Sequence, residues 1–420
     1  MLDIAILDGV RTPFARAFGP LAGVPAQELG RLAATTALQR AGLHPDQVDQ
    51  VVFGNVATPP DCANIARVIA LRAGVPQDRI AHTVQRNCAS GMEAISTAAG
   101  LIQLGEATTV LAGGTESMSQ IPFLYNRQAT EQYLRLGRAK SFWQRTSAML
   151  GFRPRHFKPV IAVKLGLTDP VSGLLMGETA EVLVEEFGIS RQAQDEFALL
   201  SHQRAVASQE RGVLAEEIVP VGEVKEDVGP RKGQSLEALA KLKPFFKENG
   251  TVTVGNSCQI TDGAAAVVLM PGEAARAAGR QPLGYLRGFA YAGCDPRRMG
   301  LGPAFAVSKL LEKTGLSLRD IDLIELNEAF AAQVIANEKA FASEKFAKEQ
   351  LGRAQALGEI DRARLNVNGG AIALGHPVGA TGTRLVLTLL KELKRRGGRY
   401  GLATLCIGGG QGGAMLVEAA

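Results

Sequence analysis

The chain has 420 residues and a net charge of +5, and 46% of its residues are hydrophobic against 21% charged. That is enough chain for two or three core-forming units, and its charge is too balanced to mark a nucleic-acid-binding protein. The five cysteines, Cys62, Cys88, Cys258, Cys294 and Cys406, are odd in number, widely spaced and without a CxxC pair, which argues against a disulfide framework and against a zinc site. The histidines show no metal-type spacing, so no metal is expected, and a reducing compartment is. The opening MLDIAILDGVRTPF, with Asp3 and Asp8, reads as neither a signal nor a transit sequence. No apolar stretch approaches the ~20 residues that span a bilayer. The expectation is a cytoplasmic protein, at most peripheral to a membrane.

Along the chain, residues 33–56 predict an amphipathic helix, a Gly42-Leu43 turn, a Val48-Asp49 step and an apolar strand. Residues 82–85 read as a strand and 91–104 as a helix, followed by a strand at 109–112 that ends at Gly113-Gly114. Residues 121–250 differ in kind. Their helical segments are polar, such as 177–208, and a turn-rich charged stretch follows at 225–235, which predicts an inserted lid. Residues 306–329 then repeat the layout of 33–56, with Gly315-Leu316 at the turn and Ile321-Asp322 before the strand. A helix at 382–396 and a strand at 401–405 ending at Gly408–Gly410 repeat 91–112. Helices alternating with apolar strands predict βαβ units on a mostly parallel sheet, and the repetition predicts two similar halves.

The sharpest local signal is NCASGMEAISTAAGLIQLG (87–105). Met92, Ile95, Ala99 and Ile102 recur at helical spacing, and Ser90 followed by Glu93 fits a capping box. Cys88 is therefore expected at a helix N-terminus, where free amides and the helix dipole favour a thiolate. A buried structural cysteine is the alternative. A cysteine nucleophile needs a base and oxyanion-stabilising dipoles. His376 lies in the glycine-rich GGAIALGHPVGATG, immediately before a helix beginning near Ala380, in the loop that matches the one holding Cys88. Such loops at the carboxyl ends of strands are where α/β sheets place their sites. Two further strand ends carry suitable groups: Asn327 in ELNEAFA, and Cys406 with the Gly408–Gly410 amides in LATLCIGGGQGGAM.

Taken together, NCASGMEA, GTVTVGNSCQITDGAAA, NEAFA, GGAIALGHPVGATG and CIGGGQGGA stand in the order and approximate spacing of the thiolase family, and the resemblance runs over essentially the whole chain, including RTPFARAFG and AGGTESMS. It implies an α/β, duplicated thiolase fold, five-layered αβαβα, with an inserted α-rich loop domain covering the coenzyme A (CoA) site. The expected division is an N-terminal half at 1–120 completed by 251–271, the loop domain at 121–250, and a C-terminal half at 272–420. By resemblance, Cys88 is the acyl-carrying nucleophile, His376 its base and Cys406 the second acid/base. Asn327 with His376 resembles one oxyanion hole, and the backbone amides of Cys88 and Gly408 resemble the other.

The implied activity is CoA-dependent thiolysis of 3-ketoacyl-CoA in fatty-acid β-oxidation, with CoA as cosubstrate, no permanently bound cofactor and a dimer or tetramer. Biosynthetic acetoacetyl-CoA formation is the alternative. A decarboxylating ketoacyl synthase would typically use a cysteine with two histidines, whereas Asn327 and Cys406 hold the corresponding strand ends here. A non-catalytic scaffold subunit has no need of Cys88, His376, Asn327 and Cys406 together. Arg231 and Lys232 are expected CoA phosphate contacts, and Ser257-Cys258 the segment along the pantetheine. Cys258 stands where many thiolases have Ser, so a hydroxyl contact there is not carried over.

Residues 126–159 resemble the insert of β-subunits from trifunctional β-oxidation complexes, which implies a hydratase/dehydrogenase α-subunit as partner. Asn327 departs from the His often found in that branch. Between residues 127 and 158, eight Lys/Arg face one acid, Glu131, with Phe142, Trp143, Leu150, Phe152 and Phe157 interleaved. That composition suits an anionic membrane surface, docking of the α-subunit, or a solvated hairpin packed on its own lid.

Overall fold

Nine strands carry the main sheet of the computed structural model, which describes residues 1–420. They are β1 (Ile4–Arg11), β2 (Gln50–Gly54), β3 (Ile80–Val84), β4 (Val110–Ser117), β5 (Thr261–Pro271), β6 (Gly284–Gly293), β7 (Leu323–Leu326), β8 (Tyr400–Ile407) and β9 (Gln411–Ala419). Their spatial order is β7-β8-β9-β6-β1-β5-β4-β2-β3. Parallel pairing is confined to the two ends, where β2 lies between β3 and β4 and β7 lies beside β8. Everything between is antiparallel. The expectation of a mostly parallel sheet is therefore corrected. The reason is connectivity: β9 follows β8 through the tight turn at 408–410, and β5 returns beside β4 after the insert, so neither is brought back by a helical crossover.

The order also displays the duplication. The N-terminal half runs β3-β2-β4-β5-β1, and the C-terminal half runs β7-β8-β9-β6 with Leu365 bridged in parallel to Ile324 in the place of β3. The halves join where Ile4–Ile6 of β1 meets residues 284–286 of β6. Burial separates three cores, because alternate residues of a strand face opposite sides. Helices α1 (Ala26–Arg40) and α2 (Ile65–Arg72) cover the outside of the N-terminal half through Leu29, Ile65, Val51 and Leu111. Helix α3 (Ser90–Gln103) is buried between the halves with a helix of the C-terminal repeat, Thr381–Arg396. Met92, Ile95, Leu385 and Leu389 pack there on Val52, Val267, Leu405 and Met415. Two further helices, Gly302–Thr314 and Ala331–Ala342, cover the far side through Val307, Leu310 and Val334 on Ile324, Leu402 and Leu416. Helices, sheet, helices, sheet, helices make five layers, as expected.

Between β4 and β5 the chain forms α4 (Arg127–Arg138), α5 (Phe142–Leu150), α6 (Met176–Phe187) and α7 (Arg191–Glu210). The longer helices after these are α8 (Gly302–Thr314), α9 (Ala331–Ala342) and α10 (Thr381–Arg396). Leu183 of α6 and Phe197 of α7 enter the outer C-terminal core, whereas α4 and α5 stand out from the body. The last part of the insert is tied to β1 by Arg11, which is fully buried and 2.6 Å from both Glu217 and Asp227. No helix is long and apolar enough to cross a membrane.

Candidate active site

Cys88 lies between β3 and α3, in the turn that precedes the helix. The turn depends on Asn87, which holds φ at 44°, a left-handed conformation that Asn tolerates better than most residues. Its Nδ2 donates to Gly408 O at 2.8 Å and so fastens the Cys88 turn to the β8–β9 turn of the other half. The expected capping box does not form. Ser90 is the first helical residue; its Oγ accepts from Arg86 N and donates to Asn87 O, and Glu93 pairs with Arg86 at 2.6 Å. These bonds brace the turn from inside the helix rather than capping it.

The backbone N–H groups of Gly408 and of Cys88 itself, the two amides expected to form an oxyanion hole, act on the Cys88 thiol to lower it. Burial nevertheless pushes the thiol up, outweighing those amides. The expected lowering of the thiol is corrected: the amides do act on it, but loss of water costs the anion more. The resting group is a thiol that needs a base.

His376 supplies a free nitrogen. Its N–H donates to Thr261 Oγ1 at 3.0 Å, and its Nδ1 lies 2.6 Å from Thr381 Oγ1. The Thr381 hydroxyl also reaches Pro377 O at 3.0 Å; with its one proton donated there, Nδ1 carries the ring hydrogen and Nε2 the lone pair. Nε2 is buried without a partner. Burial, then the charge of Arg384, push His376 down to about 3, which keeps it neutral at physiological pH.

Asn327 follows β7, with its backbone N–H on Thr404 O, and its side chain is 0% exposed. Both Oδ1 and Nδ2 lack partners. An amide left unpaired in a core costs about 1–3 kcal/mol for each group, so a substrate oxygen or a water that met this pair would be stabilising. Cys406 ends β8, fully buried. Burial first, then Cys88, Cys258 and Cys294, push its thiol well up, so it stands protonated. Four of the five cysteines, distant in sequence, thus gather in one region, all of them free thiols. Glycine lets the two halves close here: a Cβ on Gly91 would stand 2.7 Å from Thr383 Oγ1, and one on Gly382 would stand 2.3 Å from Met92 N. The N-termini of α3 and α10 therefore meet, which brings the Cys88 and His376 loops together.

The segment holding Ser257 and Cys258 runs past both catalytic loops. Ser257 bridges to Phe330 and donates its hydroxyl to Thr253 O at 2.7 Å, while Ile260 bridges to His376. Cys258 packs in the same apolar cluster as Cys406, and burial pushes its thiol up to about 12. Arg231 and Lys232 stand apart on the exposed surface of the insert. Lys232 is paired with Glu210 at 2.9 Å, and the charge of Arg231 helps to lower buried His202.

Several supporting residues escape sequence reasoning. Thr381 selects the His376 tautomer. Met176, at the start of α6, places its sulfur 3.4 Å from where a Cβ on Gly408 would be, so the insert overhangs the site. Glu328 is buried and accepts from Ser201 Oγ of α7 at 2.6 Å, Asn366 Nδ2 at 2.8 Å and Ile372 N at 3.2 Å, joining insert and catalytic loops. Only Asn87 carried a signal, as an Asn at a strand-to-helix turn.

Comparison with known proteins agrees with this geometry. The family model for the thiolase N-terminal domain matches residues 4–273, and that for the thiolase C-terminal domain matches 280–419. The 3-ketoacyl-CoA thiolases of Yersinia enterocolitica and Pectobacterium carotovorum are each 42% identical to this chain over 423 aligned residues, covering 99% of this chain and 96% of those proteins. The crystal structure of human mitochondrial 3-ketoacyl-CoA thiolase in complex with CoA matches at a TM-score of 0.86 and 38% identity, over 99% of this chain and 98% of that one. The acetyl-CoA acetyltransferase of Bacillus anthracis matches at 0.88 and 41%, over 100% and 99%. Two family models in tandem, full-length relatives and a duplicated five-layered fold lead to one conclusion: the chain belongs to the thiolase family.

Proposed function

We propose that this thiolase cleaves 3-ketoacyl-CoA with CoA to acetyl-CoA and a shortened acyl-CoA, in fatty-acid β-oxidation. The observation that supports the reading is a pair of neighbouring protonated thiols, Cys88 and Cys406, together with a His376 Nε2 and an Asn327 amide that are each buried without a partner. Nε2 takes the Cys88 proton, and Sγ attacks the 3-keto carbon, whose oxyanion meets the Cys88 and Gly408 amides. Breaking the Cα–Cβ bond leaves acyl-Cys88 and the enolate of acetyl-CoA. Asn327 and His376 stabilise that enolate, and the Cys406 thiol protonates its carbon. A second CoA, its thiol proton removed by the Cys406 thiolate, then takes the acyl group from Cys88, which leaves as a thiolate and recovers its proton from His376 Nε2, so both thiols and the neutral imidazole are restored.

Within this reading CoA runs along Ser257-Cys258 beneath the insert, with Arg231 and Lys232 toward its phosphates. The domain division is 1–120 with 251–271, 121–250 and 272–420. The test is CoA-dependent loss of C4 and C16 3-ketoacyl-CoA. Faster turnover of C16, abolished in Cys88→Ala, is expected. Turnover of C4 alone would move the chain to acetoacetyl-CoA chemistry, and cleavage of neither would overturn the reading.

A second reading concerns the α4–α5 hairpin. Phe142 and Trp143 are 74% and 79% exposed, and Met149, Leu150 and Phe157 are exposed beside Arg135, Arg138, Lys140 and Arg145. Aromatic anchors ringed by basic residues suit an anionic lipid surface, each cation adding about 1 kcal/mol close to it. Co-sedimentation with anionic vesicles at low salt is expected to fall sharply in Phe142→Ser/Trp143→Ser. Equal binding by this variant would dismiss the lipid surface in favour of a protein partner, the hydratase/dehydrogenase α-subunit.

A further inference from the structure

The two halves correspond residue for residue at their strand ends. Asp49 accepts from Thr108 N and Thr109 N, both at 2.8 Å, and Asp322 accepts from Arg399 N at 2.7 Å and Tyr400 N at 2.9 Å. Aligning Asp49 with Asp322 and Thr109 with Tyr400 carries Gly54 onto Asn327, Asn55 onto Glu328 and Thr115 onto Cys406. The facing glycines of the inner helices, Gly91 and Gly382, carry Cys88 onto Gly379. The catalytic centre therefore has a twofold counterpart built from Gly54, Thr115 and Gly379.

That counterpart is closed. A Cβ on Gly114 would stand 1.9 Å from Gly379 O, and one on Gly54 would stand 2.4 Å from the Ser90 carbonyl carbon. A fully buried carboxylate fills what remains. Glu116 Oε2 accepts from Val56 N and Gly379 N, and Oε1 accepts from Ala57 N and Asn55 Nδ2, all at 3.0 Å. Burial pushes Glu116 up to about 7, while its four partners are all donors and favour the carboxylate. The Gly379 amide is the counterpart of the Cys88 amide, so the ionised Glu116 presents an internal anion where the other half presents its amide to a substrate oxygen. Gly379 closes the loop that begins with His376. Glu116 belongs to the N-terminal half, as Cys88 does.

We propose that Glu116 is a positioning residue for the thiolase reaction: from the closed counterpart of the catalytic centre it holds the Gly379 amide and so sets the His376 loop against the Cys88 loop. The inference rests on the reading of His376 as the base for Cys88. A carboxylate can serve all four donors, whereas a glutamine has one acceptor oxygen and must leave two of them unpaired. Losing the anion weakens the hold on the Gly379 amide, directly or by turning the side chain away from it, and so bears on the His376 loop rather than on CoA binding at the insert.

The test compares Glu116→Gln and Glu116→Asp with the wild-type enzyme in thiolysis, in thermal melting and in the rate at which iodoacetamide alkylates Cys88. For Glu116→Gln, kcat is expected to fall at least tenfold at temperatures well below its melting point. KM for CoA should stay within twofold, and alkylation should slow in parallel because the base is displaced. Glu116→Asp keeps both acceptors on a shorter arm and should recover part of the loss. Wild-type kcat in either folded variant would overturn the proposal, as would a loss carried by KM or an unchanged alkylation rate. If Glu116→Gln does not fold, Glu116→Asp is judged alone, and a kcat within twofold of wild type overturns it. A wild-type enzyme that does not cleave 3-ketoacyl-CoA would instead sink the functional reading, which separates the two failures.

Discussion

The hydrogen bonds of His376 and the lack of any around Asn327 describe one strategy at the residue scale. Thr381 fixes one nitrogen so that the other is a bare lone pair, and Asn327 is held by its backbone while its amide is left free. Replacing Asn327 with Ala removes two unpaired buried groups, so stability should hold or rise, while kcat should fall about 100-fold through loss of an oxyanion donor. Melting temperature and steady-state thiolysis on the same preparation check both halves of that expectation; a drop in stability with intact kcat would make Asn327 structural. Cys88, His376, Asn327 and Cys406 were legible in the sequence because each sits where a helix begins or a strand ends. Asn87 and Thr381 were less so, since their roles depend on the atom each one faces.

At the scale of elements, helix and strand positions followed the hydrophobic period closely: β8 and α10 cover the predicted strand and helix with small shifts at their ends. Strand direction did not follow, because period alone does not report how a chain returns to a sheet. The inner helices show why glycine matters at contacts between elements. Gly114 of β4 lies against the Gly379 carbonyl, so Gly114→Ala should destabilise the protein by about 1–3 kcal/mol as backbone is forced from backbone. Urea denaturation would read this, and an unchanged midpoint would mean that the halves can separate at little cost. The Ser90–Glu93 pattern shows the reverse error: the spacing of a cap is present, but the helix begins at Ser90 itself and Arg86 claims Glu93.

Considered as a whole, the molecule is two similar halves whose inner helices face each other, with one insert reaching over both. The insert is anchored to β1 by Arg11, whose guanidinium is bonded to Glu217 and to both oxygens of Asp227 with no access to water. Removing one member of a buried ion network leaves the others uncompensated, so Arg11→Ala should cost about 3–5 kcal/mol. Protease cleavage within 211–235 should rise with it, and an unchanged digestion pattern would show that the insert is held by its packing alone. The duplication is not exact at the strand ends: one half has Gly54, Thr115 and Gly379 with a bonded carboxylate where the proposed centre has the Asn327 amide, Cys406 and Cys88.

By itself, the sequence determined the fold class and the duplication, and it nominated the insert at 121–250 and four chemistry-bearing side chains, since these depend on periodicity, turn residues and local spacing. Only the tertiary structure decided the antiparallel centre of the sheet, the protonated state of Cys88 and the unpaired nitrogen of His376. The same holds for the gathering of four cysteines and the bonding of Glu116 to the opposite half. All of these depend on burial and on contacts between residues hundreds of positions apart, which neither composition nor period encodes.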